Sequence, residues 1–259
     1  KYRWGFFPSA SVAWRISNEN FMKCADFLND LKIRASVGML GNDGVPEYAF
    51  LSTYSRYGQK VGYRMVDGSA AFNPAYKPDV VPSLNLSWER YLSYNVGFDA
   101  TLWDGLLGME VDGFYNYTYE ILTGQGSGFP ASMGGYYPTY INYPAIDAKG
   151  VDLMVTHKNQ FSLGGKPFFY GVSASLTYSK TRWIKYKDNP EVSDNRKIVG
   201  KTYGSITGWK TDGLFRSEEE IDNSAWWGSR PNVGDIKFVD INGDGKIDYD
   251  DWGYFGRSN

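Results

Sequence analysis

The densest coordinating chemistry in the chain is Asp240-Ile241-Asn242-Gly243-Asp244-Gly245-Lys246-Ile247-Asp248-Tyr249-Asp250-Asp251. It fits the pattern D-x-[DN]-x-[DN]-G with an acid at the twelfth position, in which oxygen donors wrap a calcium ion. Asp240, Asn242 and Asp244 would supply side-chain oxygens, Gly245 the sharp turn, and Lys246 its backbone carbonyl. Asp248 would bind directly or through a water. Asp251 stands where Glu is usual, and its shorter arm makes bidentate ligation harder. Five carboxylates in so short a stretch repel one another without a cation. That is the argument for a structural Ca²⁺; the alternative is a metal-free turn rich in Asx bonds. Asp235 to Val239 reads as a strand, so this is not a helix–loop–helix site.

A second group could recognise a ligand. Trp226, Trp227, Tyr136, Tyr137, Tyr140 and Tyr143 fall in long connections, where flat rings can stack on sugar faces and nearby amides can bond hydroxyls. Their alternative role is to pack loops together or to meet a covering protein. Tyr115, Tyr117 and Tyr119 near a strand end, and Trp103 near a turn, suit interfacial aromatic girdles. His157 is the only histidine, which removes a Ser-His-Asp triad or a His-ligated metal from the chain's own chemistry. It falls in phase with apolar residues at a strand end and reads as structural. Gly124-x-Gly126-x-Gly128 lacks the strand-to-helix setting of a nucleotide loop. Glu218-Glu219-Glu220 reads as the start of a short helical turn. A net charge of −2 and the lack of any Lys/Arg run exclude a nucleic-acid role. One cysteine, Cys24, excludes an internal disulfide framework.

The elements that must position these residues are strands. Of the 259 residues, 17% are aromatic and 30 are glycine, which favours β-structure with many turns. No uncharged apolar run approaches the ~18 residues that a spanning helix needs. Instead, apolar and polar residues alternate over unusually long runs. From Tyr170 to Ser179 every even position is apolar or aromatic and every odd one is Gly, Ser or Thr. Val96, Phe98, Ala100 and Leu102 oppose Asn95, Asp99 and Thr101. Ile33, Ala35, Val37 and Met39 oppose Lys32, Arg34 and Ser36. Val111, Tyr115 and Tyr117 oppose Glu110, Asp112 and Asn116, and Val151, Leu153 and Val155 oppose Asp152, Met154 and Thr156. A less regular run, about residues 6–16, sets Ala10, Val12 and Trp14 on one face. The fold class is therefore all-β, with about six strands of roughly 10 to 13 residues. At a ~45° tilt, 12 residues advance about 28 Å, close to the thickness of a bilayer core.

The connections alternate strictly. Ser17 to Asp30, Asp104-Gly105 and Gly164-Gly165-Lys166-Pro167 are short; Asp104-Gly105 is a two-residue hairpin signal. Gly41 to Ser83, Thr123 to Pro144 and everything after about Tyr186 are long. Outer-membrane barrels alternate in this way, with tight periplasmic turns and long extracellular loops. Residues 1–186 are thus expected to be six membrane strands, and 187–259 an extracellular loop region carrying the acidic loop. Six strands leave open edges that lipid does not tolerate, so further strands are expected elsewhere in a longer chain. The opening at Lys1, with no Met or signal-like stretch, reads as an internal or processed segment.

The residues also resemble the SusC-like family of TonB-dependent outer-membrane transporters. The resemblance is carried in order by Arg3-Trp4-Gly5-Phe6-Phe7-Pro8-Ser9, Trp14-Arg15-Ile16-Ser17, and Leu31-Lys32-Ile33-Arg34-Ala35-Ser36-Val37-Gly38. It continues through Leu86-Ser87-Trp88-Glu89, Asn95-Val96-Gly97-Phe98-Asp99, Asp112-Gly113-Phe114-Tyr115, and Gly234-Asp235-Ile236-Lys237-Phe238-Val239-Asp240. It implies a barrel of about 22 strands with a plugged lumen, in the bacterial outer membrane. It further implies a SusD-like surface lipoprotein as lid, TonB contacted through an N-terminal region, and uptake of oligosaccharide or peptide substrates. Glycan oligomers are the expected cargo, and no catalysis is expected. The rival is a secreted, calcium-stabilised β-sandwich, either a carbohydrate-binding module or a glycan-active enzyme. The two differ at Val96, Phe98, Leu102, Val172 and Leu176: a barrel wall exposes them to lipid, and a sandwich buries them.

Overall fold

The computed structural model describes residues 4–23, 25–45, 47, 49, 51–64, 70–80, 82–124 and 140–256. Its strands are β1 (Ser9–Arg15), β2 (Leu28–Asn42), β3 (Thr53–Arg64), β4 (Ala70–Val80), β5 (Glu89–Leu102), β6 (Leu107–Tyr119), β7 (Leu122–Gly124), β8 (Tyr140–Asn142), β9 (Ala145–Leu163) and β10 (Lys166–Lys185). β1, β2, β5, β6, β9 and β10 form one antiparallel six-stranded sheet in that order. These are the six strands that the alternation predicts. Two short 3-10 turns, Ile16–Asn18 and Asn20–Met22, carry the first connection.

Two expectations need correction. The connection from Gly41 to Ser83 holds its own hairpin, β3 paired with β4, and β7 pairs with β8 within the next long connection. The strands also depart from the expected length: β1 has 7 residues, β9 has 19 and β10 has 20. Alternation marks only the part of a strand with one apolar face. Where β9 continues outward beyond it, through Ala145–Gly150, Asp147 and Lys149 take the face that is apolar farther along, and the periodicity fades.

Register places the alternating residues in continuous rows. Trp14 faces Ile33, which faces Phe98, then Val111, Leu153 and Leu176 in turn across all six strands. The next row toward the long loops is Val12, Ala35, Val96, Gly113, Val151 and Tyr178. Among the described residues nothing is packed on this face: Val96 is 59% exposed, Val172 61% and Leu176 65%, and Phe98 and Leu102 are half-buried. The buried apolar side chains among the described residues are Pro144, Ala145, Phe215, Ile221 and Ile247, at a strand end and beyond the sheet. A sandwich would have its core on this face; a barrel wall leaves the face for lipid.

The turns follow the same plan. Asp104 and Gly105, with φ of 55° and 84°, form the primed turn between β5 and β6, and Trp103 before them also sits at positive φ. Gly164 and Gly165, at 61° and 77°, close β9 onto β10. Pairing ends at Arg15–Lys32 in the first hairpin, at Leu102–Leu107 in the second and at Leu163–Lys166 in the third. Each ends farther from the shared row than the one before. That stagger is the register shift of strands tilted in a barrel wall.

After Lys185, Arg182 bridges to Thr202 and the chain turns into two small sheets. β11 (Ile206–Trp209) pairs with β14 (Trp252–Phe255), and β12 (Thr211–Leu214) with β13 (Ile236–Phe238). One helix, α1 (Glu218–Asp222), is capped by the Ser217 hydroxyl accepting from the Glu220 N–H.

Candidate functional site: two faces of a wall and an outer aromatic cluster

On the outward face, the apolar band on β10 runs from Phe168 through Tyr170, Val172, Ala174 and Leu176 to Tyr178. It spans about 33 Å of strand, or about 25 Å along the membrane normal at a ~40° tilt, the height of the apolar band of known barrels. Lys166 and Lys180 stand one step beyond its ends. Tyr94 and Tyr115, ring centroids 6.4 Å apart, mark the long-loop border. Trp103, 53% exposed, lies at the turn end. His157 faces Val172 and Leu107 on the apolar face and packs 5.5 Å from the Tyr170 ring, the structural position expected of it.

The inward face is polar and internally bonded. Arg34 donates through Nε to Asp99 at 3.0 Å and through Nη2 to Asp112 at 2.8 Å, while Lys32 donates to Asp99 at 3.1 Å. Arg34 reaches Asp112 across an intervening strand because Gly97 lies between them in the row. A side chain there would strike Asp112 Oδ1. Ser93 donates to Asn116 Oδ1 at 2.7 Å, and Thr156 and Ser173 share a 3.1 Å bond. The alternation reveals which residues are polar. It does not reveal this network, because the partners of Arg34 are set by the register across residues 41–83.

Beyond the wall, Trp209 centres an aromatic cluster. Its ring lies 4.7 Å from Trp227, 5.6 Å from Tyr249 and 4.4 Å from Trp252. Its Nε1 donates to the Asp248 carbonyl at 2.7 Å, tying the cluster to the acidic loop. Trp226 and Trp227, 36% and 44% exposed, border a cleft of about 270 Å³ with Phe215, Arg230, Asn232 and Asp235. Tyr140 and Tyr143 do not join it: Tyr140 lies in β8, and Lys185 caps the Tyr143 ring at 4.2 Å. Tyr136 and Tyr137 fall outside the described residues. Arg230 donates to Glu218 and Asp222, fastening the cleft rim to α1. The Lys237 ammonium, and then the Arg216 N–H, donate to Glu220 and hold its carboxyl below the usual range.

In the acidic loop, Asp240 accepts from the Gly243 and Gly245 amides at 2.6 and 2.8 Å, and Asp244 accepts from Lys246 at 2.9 Å. Asn242 accepts from the Asp244 N–H at 3.0 Å. Gly243 and Gly245 take φ of 75° and 82°, which the turn demands. Asp251, 0% exposed, accepts from the Ile241 and Asp248 amides at 2.7 and 3.0 Å, and Asp248 accepts from Asp250 at 2.7 Å. Among the described residues, no three His, Cys, Asp or Glu side chains converge on one point suited to an ion. The donor set is all oxygen, the chemistry of a hard cation; Asp240, Asp244 and Asp248 keep lone pairs beyond their bonds, whereas Asp251 Oδ1 already accepts from both the Ile241 and Asn242 amides.

The comparisons with known proteins agree with this architecture. A family model described as "TonB dependent receptor-like, beta-barrel" matches residues 1–256, and the chain belongs to that family. It is similar to TonB-dependent receptor P26 of Formosa agariphila, 28% identical over 270 residues, covering 96% of this chain and 25% of the relative. It is also similar to TonB-dependent receptor SusC of Bacteroides thetaiotaomicron, 24% identical over 269 residues, covering 96% and 24%. The RagAB peptide importer in its closed-closed state superposes with a TM-score of 0.65 at 17% identity, covering 97% of this chain and 26% of that one. The chain thus spans about a quarter of the length of these relatives. It is a sector of a TonB-dependent receptor-like β-barrel, similar to part of SusC, and the sandwich rival falls.

Proposed function

We propose that the parent protein is a TonB-dependent importer of nutrient oligomers, in which this chain forms part of the barrel wall and the outer loops. The observation that carries the reading is the apolar row from Trp14 to Leu176, continuous over six strands and uncovered. The long-loop end faces outside, as the alternation of short and long connections favours. A SusD-like lipoprotein serves as the lid over those loops, and TonB engages a part of the parent outside this chain. Glycan oligomers are the favoured cargo, because the half-exposed Trp226 and Trp227 offer ring faces beside amide and acid groups in one cleft. Peptides are the second reading, favoured by the similarity to a structure described as a peptide importer.

The test is fractionation of the full-length parent, followed by binding of oligosaccharide and oligopeptide panels to the detergent-extracted protein. Recovery in the outer membrane with a lipoprotein partner is expected. Trp226→Ala combined with Trp227→Ala is expected to weaken oligosaccharide binding about tenfold. Soluble recovery would sink the importer, and unchanged glycan binding would remove this cleft from the substrate path.

The loop 240–251 is proposed to hold a structural Ca²⁺ through Asp240, Asn242, Asp244, Asp248, Asp251 and the Lys246 carbonyl. The ion would neutralise the clustered carboxylates. Because Trp209 bonds the Asp248 carbonyl, it would also stiffen the aromatic cluster. Saturating calcium is expected to stabilise the outer region by about 2–3 kcal/mol at a hundredfold excess over Kd. Limited proteolysis of the parent, with and without chelator, checks this. Cleavage within 206–255 that ignores calcium would leave the loop a metal-free Asx turn.

A further inference from the structure

We propose that Lys149 and Lys180 form a binding site for the phosphate of an outer-leaflet lipid headgroup. The proposal rests on the barrel-wall reading, and on the long-loop end facing outside for the choice of leaflet. The two lysines are direct cross-strand partners between β9 and β10. They lie in the row Ala10, Val37, Tyr94, Tyr115, Lys149 and Lys180, on the same face as the apolar rows. Both are exposed, and neither joins an ion pair or hydrogen bond among the described residues.

Two like charges directly opposed on one sheet face destabilise the pair unless something compensates. The cations nearest outward do have partners: Arg182 is spent on Asp147 at 2.8 Å, and Lys185 lies over Tyr143. Among the described cations of this face, Lys149 and Lys180 are the ones left opposed and uncompensated, one step beyond Tyr178 and the end of the apolar band. That is the depth of a headgroup phosphate, and lysine stems lying along apolar surface deliver ammonium groups to it. Tyr115 beside Lys149, and Tyr178 two residues before Lys180 on the same face, border the site with phenol donors. A free phosphate would find the same ammonium groups. The apolar rows immediately below supply the acyl-chain contact that only a lipid can use.

The test is native mass spectrometry of the full-length parent. The protein is extracted from outer membranes and then exchanged into nanodiscs of phosphatidylglycerol or phosphatidylcholine. A retained phosphorylated-lipid adduct is expected for the native protein. Lys149→Gln with Lys180→Gln is expected to lower the preference for phosphatidylglycerol on the order of thirtyfold, from roughly fivefold per lysine at an anionic surface. Lys158→Gln, on the opposite face near the turns, should change nothing. Inorganic phosphate at millimolar concentration should not displace the lipid; displacement would make the site a general anion site and overturn the lipid assignment. A membrane-inserted double variant that keeps its adduct overturns the proposal while leaving the wall intact. A native protein that never enters the membrane overturns the wall reading as well.

Discussion

Ala174→Arg is expected to destabilise the parent barrel by about 2–4 kcal/mol, and Ser175→Arg, one residue away, by less than about 1 kcal/mol. The difference comes from the pleat. Ala174 shares the apolar row of Leu31, Ala100, Met109 and Val155, near the middle of the band between Lys166 and Lys180, so the new guanidinium would sit in hydrocarbon with no partner in reach. Ser175 belongs to the row of Arg15, Lys32, Asp99, Glu110 and Met154, on the solvated face where acids are already present. Urea titration of the full-length parent refolded into lipid vesicles measures both. Equal losses would mean that the two faces share one environment, which a barrel wall does not permit.

The wall was legible in the sequence for the physical reason that makes this test sharp. Between Tyr170 and Ser179 one face meets lipid and the other water, so hydropathy must alternate with period two. The same logic fails at Ala145–Gly150, where the strand has left the bilayer and no face is required to be apolar. It gives no signal for β3 and β4, whose sequences do not alternate along their length. Turn chemistry was readable at Asp104-Gly105 and Gly164-Gly165, because only a few residue types tolerate positive φ there. The acidic loop was readable from the spacing of Asp240, Asn242 and Asp244. The part Asp251 plays in gathering the Ile241 and Asp248 amides was not. Trp209 escaped notice because its contacts with Trp227 and Trp252 join distant segments and leave no local pattern.

The inward network shows the same boundary between local and global information. The Asp104-Gly105 turn sets Gly97 opposite Asp112, so the β5–β6 part of the cluster follows from sequence. Arg34 arrives from β2 through the long connection 43–88, whose length alone sets no register. Only the assembled sheet reveals that glycine at 97 opens the path from Arg34 to Asp112.

Arg34→Met is therefore expected to cost about 1.5–3 kcal/mol, more than an ordinary surface pair. Its guanidinium serves two carboxylates at once, and the side chains of Arg34, Asp99 and Asp112 are 33%, 28% and 20% exposed, too enclosed for water to replace the lost bonds fully. With the cation gone, the two acids face each other with only Lys32 remaining, on Asp99. Adding Asp112→Asn removes one of the two charges and is expected to recover part of the loss, giving a coupling of at least about 0.5 kcal/mol. Gly97→Val should cost at least as much while keeping every charge, because its side chain would occupy the path to Asp112 and also crowd the Val111 backbone carbonyl. Unfolding midpoints of the refolded parent separate these cases. If Arg34→Met is costly but Gly97→Val is neutral, Arg34 acts through Asp99 alone and the reach across β5 contributes nothing.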